Sequence, residues 1–458
     1  MSLRPSPDNT FLHQPPLRVF MANALPMMLI MLMNGLQNII DAAFLGQFVG
    51  ADAMTAIGLA FPVIMVLIAM SALVSGGMSS LLARQLGAGE TDAAGSTFAR
   101  AHGLALALSA ITILIFACLG PGLMEQLAAQ NERVAQMALV YLGITVAGTP
   151  LQFALGLHAD TWRNEGRAGL VALLSVGVTF ANIVLNYILI RQLNMGVAGS
   201  AWGTVLAQGA GLGLLLFLRA SGMGTLPISS LLTKSWRGGW ANILALGAPL
   251  SLSFIGMALV SFCVILALRL TATEAYADTI AAYGIVTRVM GFAFLPNMAF
   301  ALALQSVAGN NWGADQISRA QSALKFAILT GFVYCIGMEL LFQFAGHSIA
   351  GLFIQDEAVM TQVASILRYM AAIYFLTGPI LVLALYCQAI GRPEKAALLT
   401  LTKSFLLLPV LIAALAATAG AQAIWYAFPI SDMLIVCLAI PILLSLFRAT
   451  PKTEGQPL

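Results

Sequence analysis

Apolar runs of about twenty residues recur from one end of this 458-residue chain to the other, for example over 19–44, 170–190 and 396–417. A helix needs about 20 such residues to cross a bilayer. Between the runs there is too little polar chain to build a sizeable soluble domain. The charge content agrees: 9% of residues are charged, against about 25% in soluble domains. The pattern predicts an all-α membrane protein. Its five cysteines, Cys118, Cys263, Cys335, Cys387 and Cys437, sit singly inside apolar runs, which indicates packing residues and neither a disulfide framework nor a metal site. The first run extends well beyond a signal-peptide core, so the first helix is expected to stay.

Breaking the runs at Gly, Pro and charge clusters places spans near 17–46, 54–86, 98–119, 135–158, 168–190 and 195–219. A further set falls near 240–269, 278–309, 321–346, 360–390, 395–418 and 421–447. This predicts twelve transmembrane helices in two six-helix lobes: a tail over 1–16, an N-lobe over 17–220, a linker over 221–239, a C-lobe over 240–447 and a tail over 448–458. The linker carries Lys234, Arg237, Gly238 and Gly239 and reads as a flexible cytoplasmic bridge. With the N-terminus inside, fifteen Lys and Arg fall in inner segments, Arg4 and Lys452 among them, and only Arg133, Arg191 and Arg269 fall outside. Basic residues accumulate in cytoplasmic loops, so both termini are predicted to be cytoplasmic.

The two halves also echo one another. AIGLA around Gly58 matches AYGIV around Gly284, and QLGAGETDA around Gly87 matches NWGADQISR around Gly313, with the same step along the chain in both cases. NEGR ending at Arg167 and AIGR ending at Arg392, then Trp202 and Trp425, keep nearly that register. Six spans per half make such repeats parallel, related by an axis along the membrane normal, with the substrate path between lobes.

Ionisable groups inside spans are functional candidates by default. Asn34, Gln37, Asn38 and Asp41 fall at i, i+3, i+4 and i+7, so one face of the first helix is polar. The alternative is an Asp41 simply solvated at the outer helix end. Asn182 and Asn186 lie one turn apart in the fifth helix, and Ser200 and Thr204 one turn apart in the sixth. Oxygen ligands suit a sodium ion and a carboxylate suits a proton; ordinary interhelical hydrogen bonding is the competing explanation. Pro26 interrupts the first helix, as a hinge or a fixed kink.

In the second half Arg288, Glu339, Lys403 and Asp432 stand in or at spans. A structural salt bridge is the expected role for the two basic residues. Met33 with its neighbours Met27, Met28 and Met31, and Phe292 with Phe294 and Phe300, suit either an adaptable cavity wall or plain packing. Asn34, Gln37, Asn38, Met33, Phe292 and Arg288 are therefore the candidate cavity residues. No phosphate-cradling loop, HExxH, GxSxG or dinucleotide fingerprint occurs, which argues against ATP-driven transport, nucleic-acid binding and catalysis.

Several stretches carry a family resemblance: NIIDAAFLGQFVGADAMTAIGLAFP, SSLLARQLGAGE, RNEGRAGLVALLSVGVTFANIVLNY, MGVAGSAWGTVLAQ and SVAGNNWGA. Over residues 17–447 the chain resembles the multidrug and toxic compound extrusion (MATE) transporters, in the branch of the DNA-damage-inducible and staphylococcal multidrug export proteins. The resemblance implies two six-helix lobes around a V-shaped cavity. It also implies export of amphipathic, often cationic, organic compounds in exchange for protons or sodium, without a cofactor. It assigns ion coupling to Asp41, Asn182, Asn186 and Thr204, the residues of any weak sodium site, with the Ser200 backbone and Tyr141, and it matches Pro26 to a proline where the first helix bends. One departure matters: Asn186 stands where the family commonly has a second aspartate. Fewer ligand charges weaken a sodium site, so the expectation leans to proton coupling through Asp41.

The expectation is thus an inner-membrane antiporter, functional as a monomer, with small organic molecules and membrane lipids as its partners. A flippase for lipid-linked precursors is the rival reading and calls for several cavity Arg or Lys residues; a membrane-embedded enzyme is the other.

Overall fold

The computed structural model describes residues 9–128, 131–271 and 276–448. Arg4, Lys452 and most of the two expected tails lie outside the described residues. What is described is helical, with no strand among it. The helices are α1 (Pro16–Phe48), α2 (Ala51–Gly87), α3 (Thr91–Leu127), α4 (Glu132–Ala147), α5 (Thr149–Asn164), α6 (Ala168–Asn186) and α7 (Gly196–Ala220). There follow α8 (Trp240–Leu270), α9 (Tyr276–Gly313), α10 (Ile317–Ala350), α11 (Glu357–Met370), α12 (Thr377–Ala389), α13 (Pro393–Leu401), α14 (Leu408–Ala419) and α15 (Ala427–Arg448). One-turn helices at Thr10–His13 and Ser230–Thr233 complete the set. Gly50 (φ 108°) turns the chain from α1 into α2 in a conformation open to glycine.

Ten helices or joined helices are long and apolar enough to cross a membrane, and two bent pairs bring the number to twelve when each counts as one span. The fourth and tenth spans, expected near 135–158 and 360–390, are these pairs. The α4–α5 pair bends by 46° and Glu357–Met370 with Tyr374–Ala389 by 52°. The first bend falls at Gly148 before Thr149 and Pro150; proline supplies no N–H to continue the ladder. The second leaves backbone donors at Tyr374–Leu376, and Glu339 of α10 meets one of them: its Oε2 accepts from the Phe375 N–H at 3.0 Å. The intramembrane Glu339 therefore serves as a cap for a broken helix.

Packing divides the chain into two units. The first holds the described part of Met1–His13 together with Leu25–Phe254; the second holds Gln14–Ala24 and the described part of Ile255–Leu458. In the first, Val74, Met78, Leu82, Phe98, Leu157, Leu226 and Ile243 share one core. In the second, Val264, Val286, Phe342, Leu367, Ile412 and Trp425 do so.

The 221–239 connector is held against the first unit and is not a free bridge. Arg219 Nη1 donates to Glu165 Oε1 at 2.9 Å and to the Leu226 carbonyl at 2.6 Å, while the Leu226 N–H donates to Glu165 Oε1 at 3.1 Å. Both charged side chains are fully buried, at 0% and 1% exposure. Arg219 also stacks over Trp162, 4.8 Å from the ring centre. Further along, Lys234 pairs with Asp92, and Trp236 runs so close to α3 that a Cβ on Gly103 would stand 2.0 Å from its carbonyl oxygen. The glycines at 238 and 239 suggested flexibility; the buried ion pair and the close backbone crossing override them.

Candidate functional site

The polar residues that the sequence scatters over three helices meet inside the first unit. Asn186 closes α6 and Asn182 lies one turn before it, both with no exposed surface. Asn186 Nδ2 donates to Asp41 Oδ1 of α1 at 2.6 Å and lies 3.3 Å from Asn182 Oδ1. Asn182 Nδ2 donates to Thr204 Oγ1 of α7 at 3.1 Å, and the Thr204 hydroxyl stands 3.5 Å from Asp41 Oδ2. Asp41 is thus met by an amide N–H and a hydroxyl, and no cation among the described residues pairs with it. With Asp41 ionised the amide must present its nitrogen: turned over, Asn186 would set two acceptor oxygens 2.6 Å apart.

Local backbone makes this possible. A π-helical stretch, Tyr187–Gln192, begins directly after Asn186; such widenings of a helix recur at functional sites. On α7, Gly203 lets the helix press against α6, since a Cβ there would stand 2.2 Å from Asn186 Oδ1. Neither Asn186 Oδ1 nor the buried Ser200 Oγ has a hydrogen-bond partner among the described residues. Gly203→Ala is therefore expected to push the Asn186 amide off Asp41 and to cost about 1–3 kcal/mol as overpacking does. Thermal unfolding of the detergent-solubilised variant checks this; an unchanged Tm would show that Asn186 has room to move.

The other expected site residues are placed as follows. Tyr141 packs with Leu45, Met137 and Ile190, one turn along from Asp41 and Asn186, and its hydroxyl makes no hydrogen bond to Asp41. Asn34 and Asn38 are exposed, Gln37 and Met33 partly so. Helix α1 continues unbroken through Pro26. In the second unit, Lys403 pairs with the buried Asp432 of α15, within a second π-helical stretch, Thr402–Leu407. Arg288 is exposed, and Phe292 is 42% exposed. Arg288 forms no ion pair among the described residues, unlike the salt bridge expected for it.

Sequence reading passed over the buried polar cluster of the first unit. Besides Arg219 and Glu165 it contains His102 and His158, whose rings lie 5.1 Å apart. Nearby, Arg163 pairs with Asp160 at 2.9 Å. HADTWRNEGR looked like a polar loop because its charges end an apolar run; the signal available was their spacing, since Asp160 and Arg163 are i, i+3 partners on one helix face.

A helical membrane protein of this many spans, with an unneutralised carboxylate and amides gathered inside one unit, has the architecture of a secondary transporter. A sequence model of the MatE family matches residues 26–188 and 249–415, and the chain belongs to this family of transporters, which are not enzymes. The multidrug export protein MepA of Staphylococcus aureus (strain NCTC 8325 / PS 47) is 26% identical over 412 residues, 88% of either chain. An FAD transporter of Shewanella oneidensis is 24% identical over 403 residues, 86% of this chain and 87% of its own. Among solved structures, a MOP superfamily transporter from Pyrococcus furiosus matches with a TM-score of 0.88 at 22% identity, over 97% of this chain and 99% of that one. An outward-facing MATE family transporter matches at 0.87 and 23% identity, over 98% and 100%.

Proposed function

We propose that this chain exports amphipathic organic compounds across the inner membrane in exchange for protons, with Asp41 as the proton-carrying group. The observation that carries the coupling assignment is the donor set around Asp41. An amide N–H from Asn186 and a hydroxyl from Thr204 stabilise a carboxylate and release it when it is protonated. A sodium site gains affinity from ligand charge, and Asn186 can offer only an uncharged amide oxygen. The named activity of the S. aureus relative, multidrug export, supports the substrate class.

In this reading both termini are cytoplasmic, the protein acts as a monomer among lipids, and two lobes rock in alternating access with Pro26 as a hinge in α1. Tyr141 and Ser200 border the coupling site, and Asn34, Gln37, Asn38 and Met33 line the substrate path. The flippase alternative needs several free basic residues for a pyrophosphate; Lys403 is neutralised by Asp432, which leaves Arg288. The test is ethidium efflux from proteoliposomes under an imposed pH gradient. Accumulation against the ethidium gradient is the expected result, and passive equilibration at the rate of empty liposomes would reject export.

A further inference from the structure

Helix α3 carries a cation without a counter-ion, and that cation faces a cavity. Arg100 forms no ion pair among the described residues, and its buried Nε has no hydrogen-bond partner among them. Its guanidinium stays charged in any protein environment. Asp92, two turns earlier on the same helix, is engaged by Lys234 of the connector.

Gln85 near the end of α2, Thr97 and Arg100 of α3, Gly239 of the connector and Asn242 in the first turn of α8 line a cavity of about 80 Å³, all within the first unit. Leu81 and Ile243 close its apolar side. That volume holds several water molecules, which is also room for a phosphate group. Gly239 (φ 67°) lets the guanidinium lie against the connector, since a Cβ there would stand 3.1 Å from Arg100 Nη1. Gln85 Oε1 is buried and has no partner among the described residues; turned over, the same amide offers N–H groups to the cavity. The first N–H groups of α8 have no carbonyl within the helix to donate to, and they add to the pull that the guanidinium exerts on an anion.

The depth of the cavity indicates what reaches it. Helix α3 has 37 residues, a length of about 55 Å against about 30 Å of hydrocarbon, so its ends stand among lipid headgroups. Its apolar run starts at Leu104, one turn beyond Arg100. Trp236, whose carbonyl lies against Gly103, marks the same level, where tryptophan concentrates in membrane proteins. Arg100 thus stands where hydrocarbon gives way to phosphate. We propose that this cavity binds a phosphate group, either that of a phospholipid headgroup or free phosphate. Arg100 pairs with two of its oxygens through charge-assisted hydrogen bonds, while Thr97, Asn242 and the first turn of α8 supply further donors. A phosphate held there ties α2 and α3 to the connector at the point where it enters α8.

The test titrates the delipidated full chain in detergent. Native mass spectrometry follows the binding of dioleoylphosphatidylglycerol and of dioleoylglycerol, which has the same tails and no phosphate; thermal unfolding follows the binding of inorganic phosphate. The unmutated chain is expected to prefer the phospholipid to dioleoylglycerol, to gain Tm saturably with inorganic phosphate, or both. Arg100→Gln is expected to weaken this phosphate-dependent binding roughly tenfold or more, and Arg100→Lys to keep part of it. Asn242→Glu, at an exposed position that tolerates a charge, sets a carboxylate beside Arg100 and is expected to weaken binding as much, which keeps the test decisive should Arg100→Gln fold poorly. A lipid preference with no effect of inorganic phosphate identifies the headgroup as the source; a saturable rise in Tm shows that free phosphate fills the cavity. Absence of both effects in the unmutated chain overturns the proposal, as does either variant binding both phosphate probes with unmutated affinity. Binding needs no gradient and no exported compound, so this result stands apart from the efflux measurement.

Discussion

Asp41→Asn is expected to reduce gradient-driven efflux to the level of protein-free liposomes while the protein still inserts and purifies. The substitution keeps size and hydrogen-bonding capacity and removes only the ability to take up and release a proton. Among the described residues Asp41 is the one carboxylate in the cluster with Asn182, Asn186 and Thr204. The amide at position 41 turns its oxygen toward Asn186 Nδ2 and preserves that contact, so loss of activity would not be loss of fold. Efflux in proteoliposomes, read beside size-exclusion profiles, checks the outcome; wild-type rates in the variant would remove Asp41 from the coupling step.

Asn186→Asp is expected to give the transporter a response to sodium that the unmutated chain lacks. The nitrogen 2.6 Å from Asp41 Oδ1 becomes an oxygen, and the cluster gains a second negative charge. Two carboxylates at that spacing repel each other unless a proton or a cation lies between them. With Asn182 Oδ1 and Thr204 Oγ1 beside them, the oxygens for a sodium site are then at hand. Adding a formal charge at such short range should raise sodium affinity by roughly tenfold or more. Sodium-dependent efflux by the variant, measured against a choline control, checks the sign and size; a variant still indifferent to sodium would show that a second carboxylate at this position completes no sodium site.

Much of this was legible before the structure. Long apolar runs reveal spans because a lipid-exposed backbone must satisfy its hydrogen bonds within the helix, and ten helices with two bent pairs meet the twelve runs. Spacing could place Asp41 on a polar face of the first helix and pair Asn182 with Asn186 and Ser200 with Thr204, because polar residues one turn apart share a face; their grouping into one coupling site came from the family resemblance. The breaks at Gly148 and Ala371–Tyr374 were not legible, since glycine and proline are common in membrane helices that stay straight. Nor were the π-helical stretches after Asn186 and around Lys403, where the backbone changes its bonding with no local residue demanding it. The docked connector was hidden for another reason: its anchor is a long-range pair, Arg219 with Glu165, and spacing within the chain carries no sign of it.

The central claim is that one carboxylate, held by an amide N–H and a hydroxyl, couples export to protons. The most direct measurement is initial ethidium efflux by the unmutated protein in proteoliposomes at fixed pH with sodium replaced by choline, paired with a run at constant sodium in which a pH gradient is imposed. The account predicts that efflux follows the pH gradient and changes little when choline replaces sodium. Strong dependence on sodium, with no response to the pH gradient, would contradict it.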